Sequence, residues 1–500
     1  MLLRQIPQQT IKWCKFQGTC SSKRSSFIKP VSVTGGGNRV YTNGSGIGTD
    51  CSMVAANHRC KGSDDDGSIA YSELLQRKLS STCNNNNNNN NSYHSHLTTN
   101  KRYFSETTSN TNKTNNDDDS GMDDEYGEMT ADGHTYEYPT EFKLESGETL
   151  PNAQIRYMTY GTLNEARDNV LVVCHALTGN ASLHSWWGDM LGPGLAFDTD
   201  KYFVVCSNIL GSCYGSTGPA STKSSEKGGG EVYGMDFPDV SVQDTVRLQL
   251  HMLQDDLKVN SIKCVIGGSF GGMQAVEYAA QAGSVQSDFA VDDEDGRAVP
   301  FVRSVMPIAC GAKHTAWQIA ISEVQRQAIY ADPKWNDGKP SMDDPPLKGL
   351  SVARQIGMIS YRTPEGYESK FSRNLRDEDS PPYGSKATWQ VKSYLEYQGY
   401  KFLSRFDPIT YVKLTEQMDT HDVGRNRGGV KAALESTHIP AMVLGIDSDI
   451  LYPLHEQDEL AGLFPNGELN VIKSNAGHDG FLLEQDQVAA HISEFLGAHE

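Results

Sequence analysis

Ser269, His478 and an aspartate at position 447 or 449 are the residues in this chain that together could activate a hydroxyl group. A serine hydroxyl is a weak nucleophile, so it needs a base to take its proton, an acid to orient that base, and donors for the oxyanion its attack creates. Ser269 lies in the run Gly267-Gly268-Ser269-Phe270-Gly271-Gly272, after the apolar residues 262–266 and before a helical pattern over 272–282. A strand turning sharply into a helix through Gly-x-Ser-x-Gly exposes the serine at the tip of the turn. His478 follows the strand-like residues 469–472, and Asp447 and Asp449 follow 441–446. The order serine, acid, histidine, each just after a strand, fits acyl transfer or acyl hydrolysis through a serine ester. Asp449 is the first choice for the acid, with Asp447 its rival. The oxyanion needs two backbone amides, and Phe270, next to the serine, supplies one. The other is expected from residues 175–179, directly after the apolar run 170–174, with Leu177 as the donor.

Those side chains must be held by a sheet. Short apolar, β-branched runs recur at 170–174, 202–206, 262–266, 302–308, 441–446 and 469–472, bounded by Gly, Asn or Asp. Strands buried on both faces have this texture, and the helical stretches between them, such as 240–257 and 272–282, imply parallel connections. The expected class is α/β, an α/β-hydrolase fold with a mainly parallel, doubly wound sheet. Its core spans 126–311 and 438–500, and residues 312–437, which read as helices and loops, form an inserted helical cap. Within that insertion, residues 313–330 carry apolar side chains at 316, 317, 319, 320, 324 and 328, a helical pattern with one face to bury. A cap over the carboxyl ends of the strands would narrow a tunnel and limit water, which favours transfer over hydrolysis.

The rest of the chain bounds the setting. Residues 1–49 contain seven basic residues and no Asp or Glu, with many Ser and Thr, as in an organellar transit peptide. Mitochondrion and plastid are both compatible, with the cytoplasm as the alternative. Residues 50–125 include eight consecutive asparagines, Asn84 to Asn91, and the acidic run Asp117-Asp118-Asp119, and read as a disordered linker. Without residues 1–49 the chain has 37 basic against 63 acidic residues, a poor match for nucleic acid or an anionic membrane. No run approaches the roughly 18 apolar residues of a spanning helix. The ten cysteines form no Cys-x-x-Cys pair, so neither a zinc site nor a disulfide framework is indicated. No metal or flavin motif is present, and the elbow lacks the Lys-Ser/Thr of a phosphate loop.

Several blocks together resemble the homoserine O-acetyltransferase family: His175 to Gly179, Asn208 to Pro219, Gly267 to Gln274, Gln325 to Ile329, Tyr394 to Gly399, and Gly477-His478-Asp479. The likeness spans roughly residues 136–498, and generic esterases share the elbow but not the other blocks. It implies Ser269, Asp449 and His478 as the triad, and Arg354, Tyr361 and Asp479 as substrate residues. Chemically, an arginine fork can clamp an α-carboxylate, and a carboxylate beside the catalytic histidine can pair with an α-ammonium. The resemblance further implies a ping-pong route through an acetyl-serine, with acetyl-CoA as co-substrate and no bound cofactor, L-homoserine as acceptor, a role in methionine biosynthesis, and a homodimer. Serine as acceptor or succinyl-CoA as donor stays open, because one methylene is worth only about 1 to 3 kcal/mol of discrimination. A carboxylesterase, which needs no amino-acid clamp, is a further alternative. The chain departs from the family pattern at Phe270, at Tyr278, in the loop 180–187 and in the acidic insert 287–297.

Overall fold

The computed structural model describes residues 133–499, apart from 224–229, 294, 378–380 and 385–386. The expected transit segment and linker lie outside the described residues. Eight strands form one sheet: β1 (His134–Glu137), β2 (Gln154–Tyr160), β3 (Val170–Cys174), β4 (Phe203–Ser207), β5 (Ile262–Gly268), β6 (Val305–Ile308), β7 (Ala441–Ile446) and β8 (Gly467–Ile472). Their order across the sheet is β1-β2-β4-β3-β5-β6-β7-β8. The pairs β1–β2 and β2–β4 are antiparallel, and all other neighbours are parallel. Every residue of β3, β4 and β7 is buried. Alternation then divides each strand between two layers: Val170, Val172 and Cys174 pack on one face of the sheet, Leu171 and Val173 on the other.

The helices that cover the sheet start where local chemistry allows. Helix α1 (Val242–His251) opens with a capping box in which Ser241 and Asp244 satisfy each other's backbone amides. Helix α2 (Phe270–Ala282) follows β5 without a loop. Between β6 and β7 the strand alternation stops and six α-helices intervene among the described residues: α3 (Ala316–Tyr330), α4 (Leu347–Tyr361), α5 (Pro364–Phe371), α6 (Gln390–Phe402), α7 (Pro408–Asp419) and α8 (Val430–Glu435). Helix α9 (Leu454–Leu463) joins β7 to β8, and α10 (Gly480–Leu483) and α11 (Gln485–Ala498) close the chain. No helix among the described residues is long and apolar enough to cross a membrane.

Two expectations need correction. The strand expected over 302–308 is regular only from Val305, because Val302 makes an isolated bridge to Ile262. More consequentially, α3 buries the opposite face from the one its apolar spacing indicates. Trp317, Ile319 and Val324 are exposed, whereas Gln318, Ser322, Gln325, Arg326 and Ile329 are buried. The inward polar groups have partners that make burial tolerable. Gln318 donates to the Leu451 carbonyl at 2.8 Å, Gln325 accepts from the Tyr411 hydroxyl at 2.6 Å, and Arg326 pairs with Asp419 at 2.6 Å. Periodicity detects an apolar stripe, but not whether its own chain covers it.

The contact between α2 and β3 admits no side chain, since a Cβ on Gly271 would overlap the Cys174 carbonyl. Gly271→Ala is therefore expected to destabilise the fold by about 3 kcal/mol. Gly462→Ala, in the open surroundings of α9, should be neutral or stabilising by up to about 1 kcal/mol. Urea denaturation midpoints of the two variants provide the comparison.

Candidate active site

The register of the parallel strands assembles the site. Gly267 lies opposite Cys174, Gly268 opposite Ile308, Ile308 opposite Leu444, and Ile446 opposite Ile472. Residues that follow these strand ends therefore share one edge of the sheet, where ligands bind in open α/β sheets. Ser269 occupies the junction of β5 and α2 with φ 57° and ψ −119°, a conformation that costs a non-glycine residue about 1–3 kcal/mol. Bonds on both sides hold it there: its amide donates to the Ile308 carbonyl at 2.9 Å, and its carbonyl accepts from the Met273 amide at 3.1 Å. Gly268 beside it leaves room for the Phe481 ring, three residues after His478.

His478 stands in a one-turn helix (Gly477–Asp479) after β8. Its Nδ1 lies 2.7 Å from Oδ2 of Asp449, and both side chains are buried. The other oxygen, Oδ1, accepts from the amides of Leu451 and Tyr452, each at 2.8 Å. The carboxylate is thus fixed by three donors, and the imidazole is oriented with Nε2 directed away from the acid. Tyr452, Phe481 and Tyr361 surround the ring at centroid distances of 5.3, 5.7 and 6.0 Å. Asp447 does not reach the histidine. It is exposed, accepts from the Ser474 amide at 3.1 Å and lies 3.4 Å from the Lys473 ammonium.

Phe270 opens α2, so its amide belongs to the first turn and has no acceptor within the helix. Leu177 lies in the loop after β3 and belongs to the same buried cluster as Phe270. Gln274 links the two segments, because its Nε2 donates to the carbonyls of both His175 and Phe270 at 3.3 Å. Two amides on rigid, mutually bonded segments next to a serine can stabilise a tetrahedral oxyanion.

Arg354 and Tyr361 lie seven positions apart on α4 and so on one face of it. Arg354 is 4% exposed, and its guanidinium lies over the Phe402 ring at 5.1 Å. No carboxylate among the described residues pairs with it. Asp479 is differently placed. Its carboxylate lies 2.6 Å from Nε of Arg362, both side chains being buried, and makes no capping bond to α10. The resemblance implies a counter-ion for a substrate ammonium, whereas the structure gives Asp479 a resident cation. Arg362 escapes sequence reading because nothing in the run Tyr361-Arg362-Thr363 signals a partner so far along the chain.

Comparison with known proteins adds relatives to this geometry. A family model described as the alpha/beta hydrolase fold matches residues 169–485. A homoserine O-acetyltransferase from Salinibacter ruber is 46% identical over 351 residues, covering 70% of this chain and 94% of that protein. The homoserine O-acetyltransferase of Chloroherpeton thalassium is 44% identical over 358 residues, or 72% and 87% of the two chains. Among solved structures, a homoserine O-acetyltransferase from Bacillus anthracis superposes with a TM-score of 0.63 at 24% identity, covering 73% of this chain and 97% of that one. Esterase E22 gives 0.62 at 22% identity, covering 73% and 99%. Likeness at that level shows the fold and does not separate transferase from esterase.

A fluorophosphonate that labels Ser269 reports on the triad directly. Asp449→Asn is expected to slow labelling by on the order of 10³ to 10⁴, because the imidazole loses its orienting acceptor. Asp447→Asn, at an exposed position, should leave the rate within about twofold.

Proposed function

Since the chain belongs to the homoserine O-acetyltransferase family within the α/β-hydrolase fold, we propose that it moves an acetyl group from acetyl-CoA to the side-chain hydroxyl of L-homoserine. His478 takes the Ser269 proton as Oγ attacks the thioester carbonyl, and the tetrahedral intermediate collapses by breaking the C–S bond. The CoA sulfur leaves with the proton from His478, and an acetyl-serine remains. The homoserine hydroxyl then gives its proton to His478, attacks the ester, and releases O-acetylhomoserine as His478 reprotonates Ser269. The amides of Leu177 and Phe270 hold the oxyanion in both steps, each contributing roughly 3 to 4 kcal/mol by analogy with other oxyanion holes. The product carries an activated oxygen on a four-carbon amino acid, which suits a following sulfur substitution and supports a role in methionine biosynthesis.

The observation that carries an amino acid, rather than water, as acceptor is Arg354, a buried guanidinium with no acidic partner among the described residues. A substrate α-carboxylate completes that pair, with Tyr361 on the same helical face beside His478. Asp479 would meet the ammonium with its charge already shared with Arg362. For association, α3 exposes Trp317 and Val324, and α4, which packs against it, exposes Val352 and Ile359. Exposed large apolar side chains on two packed helices support a homodimer built on them. The acid-poor residues 1–49 support an organellar address, in mitochondrion or plastid.

The test follows CoA thiol release from acetyl-CoA by the purified chain. Homoserine-dependent release that vanishes in Ser269→Ala is expected; serine-dependent release would change the acceptor, and equal release without an amino acid would make the protein a hydrolase. Arg354→Ala should raise the KM for homoserine by about 10- to 100-fold while sparing hydrolysis of acetyl-CoA by water. Light scattering is expected to find a dimer for the parent chain and a monomer for Val324→Asp.

A further inference from the structure

His175 is buried at 1% exposure immediately after β3, and none of the chemistry above uses it. Its Nδ1 lies 2.8 Å from the carbonyl oxygen of the next residue, Ala176. A carbonyl only accepts, so Nδ1 carries the proton and the ring is in one tautomer. The same carbonyl accepts from the Gly179 amide at 2.9 Å. That carbonyl belongs to the peptide unit whose N–H is the Leu177 amide. In a trans peptide the two groups point in opposite directions, so whatever holds the carbonyl also aims the amide. Two donors on the oxygen further polarise the unit and strengthen its N–H as a donor. The other ring nitrogen, Nε2, is buried without a hydrogen-bond partner among the described residues, a state that a packing role alone would not favour. Burial pushes the imidazole pKa down to about 4, so the ring stays neutral near neutral pH.

We propose that His175 is a positioning residue for the reaction: by clamping the Ala176 carbonyl from Nδ1 it fixes the Ala176–Leu177 peptide with its N–H facing the oxyanion. The inference rests on reading Leu177 as an oxyanion donor. It predicts a catalytic defect without a binding defect, since a turned peptide stabilises the transition state less and leaves the Arg354 clamp intact.

The experiment compares His175→Phe, which keeps ring volume and removes the donor, with His175→Asn, whose Nδ2 can occupy the Nδ1 position. His175→Phe is expected to lower kcat for homoserine-dependent CoA release by about 10- to 100-fold with KM within about threefold, and His175→Asn to recover most of that loss. In the parent chain, ¹⁵N shifts of the His175 ring should report the Nδ1–H tautomer, a measurement that needs no variant to fold. A proton on Nε2, unimpaired kcat in His175→Phe, or equal loss in both folded variants would overturn the proposal. A parent chain with no Ser269-dependent turnover would instead overturn the functional reading, and this inference with it.

Discussion

The site is referenced to the contact between the first turn of α2 and the end of β3, where Gly271 lies against the Cys174 carbonyl. Because no atom intervenes, the helix begins flush with the strand and Ser269 is forced into its strained turn. From that point the neighbouring groups follow by bonding rather than by chance proximity. Gln274 reaches back to His175 and Phe270, and Phe481 fills the space that Gly268 leaves. A strained turn persists only when its surroundings over-determine it, and here the Ser269 amide and carbonyl are both bonded to backbone.

The parallel strands and the elbow were legible in the sequence because a strand buried on both faces must be apolar throughout, and because few backbones tolerate glycines at 267, 268, 271 and 272 together. The candidate acid was legible as Asp449 with Asp447 as its rival. Asp447 and Asp449 follow the same strand, and what separates them is the turn that aims the Leu451 and Tyr452 amides at Asp449. Arg362 was invisible for a related reason, since an ion pair across distant segments leaves no mark on spacing. The face of α3 was misread because its inward residues are amides and an arginine whose partners lie on α7 and in the segment after β7. Where polar groups satisfy one another inside, the apolar stripe no longer points to the core.

Polar contacts recur among the intervening helices and the segments that follow β6 and β7. His314 lies 3.2 Å from Asp419, which also holds Arg326, and the His314 ring stacks on Tyr452 at 6.0 Å. Tyr452 in turn faces His478. Buried ion pairs contribute little net stability, but they are intolerant of displacement, because removing one partner strands a charge. The helices around the reacting groups are therefore located by directional contacts as well as by the apolar cluster that includes Ile329, Leu350, Phe402 and Val412. That suits a site where a displacement of about 1 Å can cost two orders of magnitude in rate.

Arg354 has a consequence beyond acceptor choice. A buried guanidinium with no carboxylate partner among the described residues offers an electrostatic contact that a small anion able to enter would complete. Occupancy and folding are then thermodynamically linked, with stabilisation growing as RT ln(1 + [L]/Kd). If Arg354 clamps the acceptor as proposed, sulfate or phosphate in a buffer would raise the unfolding temperature while competing with the amino acid. The ionic composition of the medium thus becomes a variable of the enzyme's apparent affinity as well as of its durability.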